Sequence, residues 1–251
     1  MRYFIELSYS GTAYHGWQIQ DNTFATIQQT INEMLSRLLN EPVFITGCGR
    51  TDTGVHAKQY YAHFDTTNIN LIEEEKRWLF KFNNALPVDI AIYKIIEVKE
   101  NANARFDAIS RTYQYYINNK KNPFLINRSY FLFFDLDVNE MNNASKILFD
   151  YTDFSSFAKT NTQNYTNNCK IYKAEWRVDN HQLIFTISAD RFLRNMVRAV
   201  VGTLLSVGRG KLTIEDFKKV IETKSRSAAG LSVPADGLYL TEVVYPANYF
   251  I

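Results

Sequence analysis

Two successive stretches of this chain carry one order of hydrophobic patterns, and few folds accept that order twice. Residues 2–9 alternate in a strand-like way, with Tyr3, Ile5, Leu7 and Tyr9 on one face. From Thr26 the period lengthens to that of a helix: Ile27, Ile31, Met34, Leu35, Leu38 and Leu39 recur on one side, and Pro42 follows the end. Residues 43–47 and 55–64 read as strands, 72–82 as a helix, and 88–98 as a strand apolar on both faces. Strand, helix, strand, strand, helix, strand is the split β-α-β arrangement of a ferredoxin-like unit.

The polar junction 101–107 is the expected boundary, dividing the chain into halves 1–103 and 104–251. Beyond it the order repeats with one extra helix. The stretch 109–118 contains a strand over 111–116 and is followed by a helix to about residue 149, opened by Asp137 with Glu140 as a capping box. Residues 160–168, rich in Asn and Thr, read as a surface loop. Strands near 171–178 and 183–188 form a hairpin across Asp179-Asn180. A helix over 191–207 sets Leu193, Val197, Val200, Val201 and Leu204 against a basic stripe of Arg191, Arg194 and Arg198. Thr213 caps a last helix carrying Ile214, Phe217, Val220 and Ile221, and residues 237–245 close the chain as a strand. The expected fold class is α/β (α+β): two ferredoxin-like halves joined into one mixed, mostly antiparallel sheet with helices packed on it.

Composition excludes several classes of function. With 46% hydrophobic and 22% charged residues the chain has a core to bury. Residues 1–10 lack the apolar run of a signal peptide and no apolar stretch approaches a membrane span, so a cytoplasmic protein is the expectation. Cys48 and Cys169 make no disulfide framework and read as reduced thiols. His56 and His63, seven apart on one strand, point to opposite faces, so no catalytic metal is expected. A net charge of +2 does not announce nucleic-acid binding. Its distribution says more, because Arg105, Arg111, Lys120, Lys121 and Arg128 fall close together, as do Arg191, Arg194, Arg198, Arg209 and Lys211. Each group is either a solvated face or a row of phosphate contacts.

Gly49-Arg50-Thr51-Asp52-Thr53-Gly54-Val55-His56-Ala57 describes a tight loop feeding a strand, with glycines that let the backbone turn or approach a ligand. Asp52 is either a turn residue accepting backbone bonds or a carboxylate held on a rigid loop, with Arg50 and backbone amides to keep it ionised. Asp-Thr-Gly is also the triplet of aspartic proteases, which need two carboxylates sharing a proton. This chain has one copy, and its helices are too strongly patterned for a largely β fold.

Residues 49–57 resemble the catalytic motif of the tRNA pseudouridine synthase A family. The resemblance continues, in the family's order, through residues 9–18, 82–87, 104–115, 153–157, 192–202 and 234–240, and covers nearly the whole chain. It implies the pseudouridine synthase fold, a homodimer and a tRNA partner. It also implies cofactor-free isomerisation of uridine to pseudouridine at positions 38, 39 and 40 of the anticodon arm. Asp52 matches the family's catalytic aspartate, Arg198 the arginine that pairs with it, Arg50 the one that helps displace the target base, and Tyr113 the active-site tyrosine. Arg105, Arg111, Lys120, Lys121, Arg191 and Arg194 are the candidate RNA-binding cations. Gln59 and Tyr60 depart from the family's usual Gly and Gln, and the loop 160–170 is unusually rich in Asn. The alternative, from a different class, is a tRNA-binding or chaperone protein that keeps the fold but not the reaction.

Overall fold

The strand expected at the start of the chain forms as β1 (Arg2–Tyr9), with Tyr3, Phe4, Ile5 and Leu7 wholly buried. The computed structural model describes residues 1–23, 25–67, 70–159, 165–247 and 249–250. Among them are nine strands and five α-helices, a mixed α/β fold, and the chain divides into two units.

In the first unit β1 is followed by α1 (Ile27–Leu39), β2 (Thr46–Gly47), β3 (His56–Asp65), α2 (Glu75–Ala85) and β4 (Ile90–Val98). The strand order is β4-β1-β3-β2, antiparallel throughout, as a ferredoxin-like unit requires. The Thr26 side chain accepts from Gln29 N to start α1, and Asn40, at φ 54°, stops it.

Three expectations change here. The strand over 43–47 shrinks to two residues, because side chains of α1 take the amides a ladder would use: Val43 N donates to Ser36 Oγ (2.8 Å) and Ile45 N to Asn32 Oδ1 (2.9 Å). Nor is β4 covered on both faces. It is an edge strand with a bulge, since Glu6 faces Lys94 and Leu7 faces Ile92, leaving Tyr93 as the extra residue. The buried set therefore switches from Ile90 and Ile92 to Ile95 and Val98, with Tyr93 and Lys94 exposed. The helix expected from residue 72 begins at Glu75 but keeps its anchors, Trp78 and Phe82.

The second unit, Ser110–Tyr239, holds β5 (Ser110–Asn118), β6 (Tyr130–Phe131), α3 (Val138–Ile147), β7 (Ile171–Asp179), β8 (Gln182–Ala189), α4 (Met196–Gly208) and α5 (Ile214–Glu222). Here β8 lies between β5 and β7, antiparallel to both, and β6 pairs parallel with β5. The β7–β8 turn is Asn180-His181, at φ 46° and 69°, one residue beyond the expected site and of the doubly left-handed kind that tight hairpins favour. Asp137 caps α3 by accepting from Glu140 N, but its own amide donates to Gly208 O, so only half of the expected capping box forms. The full box is at α5, between Thr213 and Asp216. The loop expected over 160–168 lies partly outside the described residues.

The largest correction concerns α4. It begins at Met196, not at Arg191, because Asn195 stands at φ 66° and breaks the helical path. Arg191 and Arg194 therefore precede the helix, and of the expected basic stripe only Arg198 is on it. Besides the expected apolar face, Met196, Ala199, Thr203, Leu205, Val207 and Gly208 are buried, so this helix is apolar nearly all round.

The last strand, β9 (Leu238–Val244), carries the chain out of the second unit, and Leu240–Ile251 belong to the first. A boundary after residue 103 assigned that segment to the second half. What draws it back is aromatic packing: the Phe4 ring lies 5.7 to 5.8 Å from those of Tyr245, Tyr249 and Phe250. The Tyr245 hydroxyl also donates to Ala104 O at 2.6 Å.

Candidate active site

Asp52 opens a four-residue turn between β2 and β3. Its carbonyl accepts from Val55 N at 3.1 Å, and Gly54, third in the turn, takes φ 81°, which a type II turn demands. A second loop, residues 10–17, is laid directly on this one. Gly54 N donates to Tyr14 O (3.3 Å), Trp17 N to Thr51 O (3.2 Å), and Gly11 N to His56 Nδ1 (3.1 Å). The approach tolerates no side chain: a Cβ on Gly16, at φ 86°, would sit on the Thr51 carbonyl oxygen and 3.1 Å from the Asp52 carbonyl carbon. Tyr9 Oη and Thr51 Oγ1 share a buried hydrogen bond of 2.8 Å.

Behind the loop the Trp17 ring stacks on that of Tyr60, centroids 4.1 Å apart and planes at 27°. The Tyr60 hydroxyl donates to Gly49 O. The backbone carrying Asp52 is thus held from residue 49 to residue 56, while the carboxylate side chain is half-buried rather than sealed. Arg50 is exposed, and with Arg105 it lines a cavity of about 160 Å³ bounded by Trp17 and Gly47.

In the second unit Tyr113 lies on β5 opposite Ile187, half-exposed, with the Phe192 ring edge-on at 5.2 Å. Its neighbour on the same strand face, Tyr115, is buried, donates to Pro234 O at 2.8 Å, and has its phenol pushed up chiefly by that burial. Arg198 projects from α4 with its Nε donating to Val233 O (2.7 Å), while its own carbonyl accepts from Val233 N (3.2 Å). The segment that supplies Val233 is tied across the helix. Gly230 N donates to Thr203 Oγ1 (2.9 Å), Asn195 Nδ2 to Ser232 Oγ (2.6 Å), and Arg226 to Gly230 O (3.1 Å) and Ser232 Oγ (2.8 Å). A Cβ on Gly202 would sit on the Leu231 carbonyl oxygen.

Of the candidate RNA-binding cations, Arg111 and the pair Lys120 and Lys121 lie toward opposite ends of β5. Arg105 is exposed in the first unit. Arg111 lies at the start of β5, where its Nη1 donates to Asp190 O (2.9 Å), beside the turn carrying Arg191. Lys120 and Lys121 lie beyond the other end of that strand, more than about 25 Å away at strand rise. Arg191 is half-buried and Arg194 exposed, both on the approach to α4.

Four residues that shape the site are not among the candidates the sequence named for it: Trp17, His56, Tyr60 and Phe192. His56 was weighed only as a metal ligand, and its ring nitrogen instead anchors the Gly11 amide. Tyr60 has a signal after all, since it stands four residues beyond His56 on one strand and so shares that residue's buried face. Among the described residues no group of His, Cys, Asp or Glu could hold a metal ion, and no helix is long and apolar enough to cross a membrane.

Residues 147–246 match the sequence profile of a family described as tRNA pseudouridine synthase. A protein of Parabacteroides distasonis named tRNA pseudouridine synthase A is 52% identical over 99% of this chain and 98% of its own length. The protein of that name in Bacteroides fragilis is 50% identical over 99% and 98% of the two chains, and one in Coxiella burnetii is 36% identical over 97% and 92%. Identity at this level over nearly the full length leaves one assignment: the chain belongs to the tRNA pseudouridine synthase A family.

Proposed function

We propose that the protein isomerises uridine to pseudouridine in tRNA, at positions 38, 39 and 40 of the anticodon arm, with Asp52 as the catalytic carboxylate. The observation that carries this reading is the loop 49–56, which fixes its backbone by several independent bonds yet leaves the Asp52 side chain half open. A turn residue serving only its own backbone has no need of such bracing.

The reaction breaks the bond from N1 to C1′, turns the base, bonds C5 to C1′ and moves the C5 proton off the ring, while N1 ends with a proton. Uridine and pseudouridine are isomers, so no oxidant, reductant or group donor is needed to balance the step. An ionised carboxylate serves either by attacking C1′ or by taking a sugar proton. Arg198 matches the arginine that pairs with the catalytic aspartate in the family. Tyr113 offers a ring for stacking on the extruded uracil, and Arg50 helps displace the base, an extrusion that costs about a few kcal/mol. Arg105, Arg111, Lys120, Lys121, Arg191 and Arg194 take backbone phosphates, which positions the RNA without reading its sequence. A homodimer in the cytoplasm completes the reading, on the family resemblance.

The test is tritium release from an unmodified tRNA transcript labelled at uridine C5. Release by the wild type that disappears in Asp52→Asn, with tRNA binding kept, establishes the reaction and its carboxylate together. Tight binding of the wild type without release would instead favour a tRNA-binding protein of the same fold.

A further inference from the structure

The turn 103–107 of the first unit has a partner for each of its backbone amides. Asn103 N donates to Asp107 Oδ2 (2.8 Å) and to the Tyr249 hydroxyl (3.0 Å), and Ala104 N to His63 Nδ1 (3.1 Å). Arg105 N and Phe106 N both donate to Asn103 Oδ1 (3.0 and 3.2 Å), and Asp107 N to Asn103 O (3.1 Å). The Ala104 carbonyl accepts from the Tyr245 hydroxyl, and the Tyr249 hydroxyl donates to Asp107 Oδ2 at 2.6 Å. Side chains from β3 and from the end of the chain therefore hold this turn, and Ala104 within it is wholly buried. The next two side chains stand outward all the same: Arg105 is exposed, and Phe106 is 76% exposed.

An exposed phenylalanine by itself needs no explanation. This one differs in its frame and in its place. Because the backbone beneath it is already fixed, the ring is held out in advance, and a flat partner settling on it orders little else. The Arg105 guanidinium carbon lies 5.4 Å from the ring centre, within cation–π reach. Arg105 also lines the cavity that reaches Gly49 and Arg50, on the loop of Asp52, so Phe106 stands one residue from that cavity. In an RNA duplex both faces of a base are covered by its neighbours, whereas a base in a loop or bordering an extruded nucleotide has a face bare. From this we infer that Phe106 is a stacking residue for an unstacked nucleobase of the RNA substrate, beside the uridine that is extruded. The inference rests on the proposed function for the identity of the RNA, and it adds a contact to a base where the neighbouring cations contact phosphates. Every base has a π-face, so the contact holds the strand without reading its sequence.

The test measures affinity against salt concentration for the wild type, Phe106→Ala, Phe106→Leu and Phe106→Trp, on an unmodified tRNA transcript and on a fully paired RNA duplex. Loss of one stacked base weakens binding about tenfold. Phe106→Ala and Phe106→Leu are expected to show that loss on the transcript, and Phe106→Trp to bind as the wild type does. The slope of log affinity against log salt is expected to stay the same in all four, since no phosphate contact is removed. The duplex offers no bare base, so there the four proteins are expected to bind alike. Melting temperatures are expected to agree, because the ring is exposed. Wild-type affinity for the transcript in Phe106→Ala would overturn the proposal. So would full affinity in Phe106→Leu, which would make the residue an apolar wedge, and so would an equal loss on the duplex, which would make it a support for phosphate contacts. Tritium release by the wild type is scored separately, so a protein that binds tRNA through Phe106 but releases nothing fails the isomerase reading alone.

Discussion

The Tyr60 hydroxyl donates to the carbonyl of Gly49, three residues before Asp52, so a strand side chain on β3 holds the loop that the same strand follows. Its ring is fixed in turn by the stack on Trp17. Tyr60→Phe keeps the stack and removes the bond. A loss of about 1 kcal/mol of stability is expected, together with a fall in turnover larger than the fall in tRNA affinity. Unchanged turnover beside a lowered melting temperature would reduce Tyr60 to a packing residue.

Gly202 admits the segment 226–233 onto α4, and that segment supplies the Val233 carbonyl on which Arg198 Nε rests. In Gly202→Ala the new methyl displaces the Leu231 carbonyl, at a cost of about 1 to 3 kcal/mol as an overpacked contact. Because Arg198 moves with its partner, turnover measured well below the melting temperature is expected to fall on the order of tenfold to a hundredfold. Retained turnover would show that the Arg198 guanidinium does not depend on this support.

Burial, with Arg2 nearby, holds the His63 imidazole down at about 4 from its ordinary 6.5, and its Nδ1 accepts from Ala104 N at 3.1 Å. The unfolded chain takes up a proton at this residue before the folded one does. Its contribution to stability is therefore complete above pH 6.5, is lost as the pH falls toward about 4, and changes no further below that. Denaturation midpoints across this window are expected to decline in the wild type. In His63→Gln, which cannot be protonated, that part of the decline should be missing.

Both thiols are buried, and burial pushes that of Cys169 up to about 12. Thiolate is the reactive form, so the native protein at pH 8 is expected to react with a disulfide reagent far more slowly than a free thiol, and to release two equivalents in denaturant. Rapid reaction of the folded protein would reveal an opening that reaches either site.

Much of this was legible in the residues. Periodicity found β1 and α1 almost to the residue, because Thr26 caps one end of α1 and Asn40 stops the other. The loop of Asp52 was legible for the same kind of reason, glycines standing where the chain must turn. What failed was decided by distant partners. The strand over 43–47 read well, yet Asn32 and Ser36 from the preceding helix capture its amides. The basic stripe of α4 read well too, and was undone by one left-handed residue, Asn195, that no period reveals. The bracing of the site was hidden more deeply, since the pair Trp17 and Tyr60 meets only once the sheet has brought residues 43 positions apart together.

The return of Leu240–Ile251 to the first unit has a consequence for how the protein is made. The second unit is one unbroken run of chain and can close as soon as it leaves the ribosome. The first is not, for Phe4 and Ala104 wait for Tyr245, and the Phe4 ring also waits for Tyr249 and Phe250. At ordinary elongation rates that wait lasts on the order of ten seconds. Through it Phe4 and its neighbours keep an apolar face bare, so the half that carries Asp52 is the later one to mature.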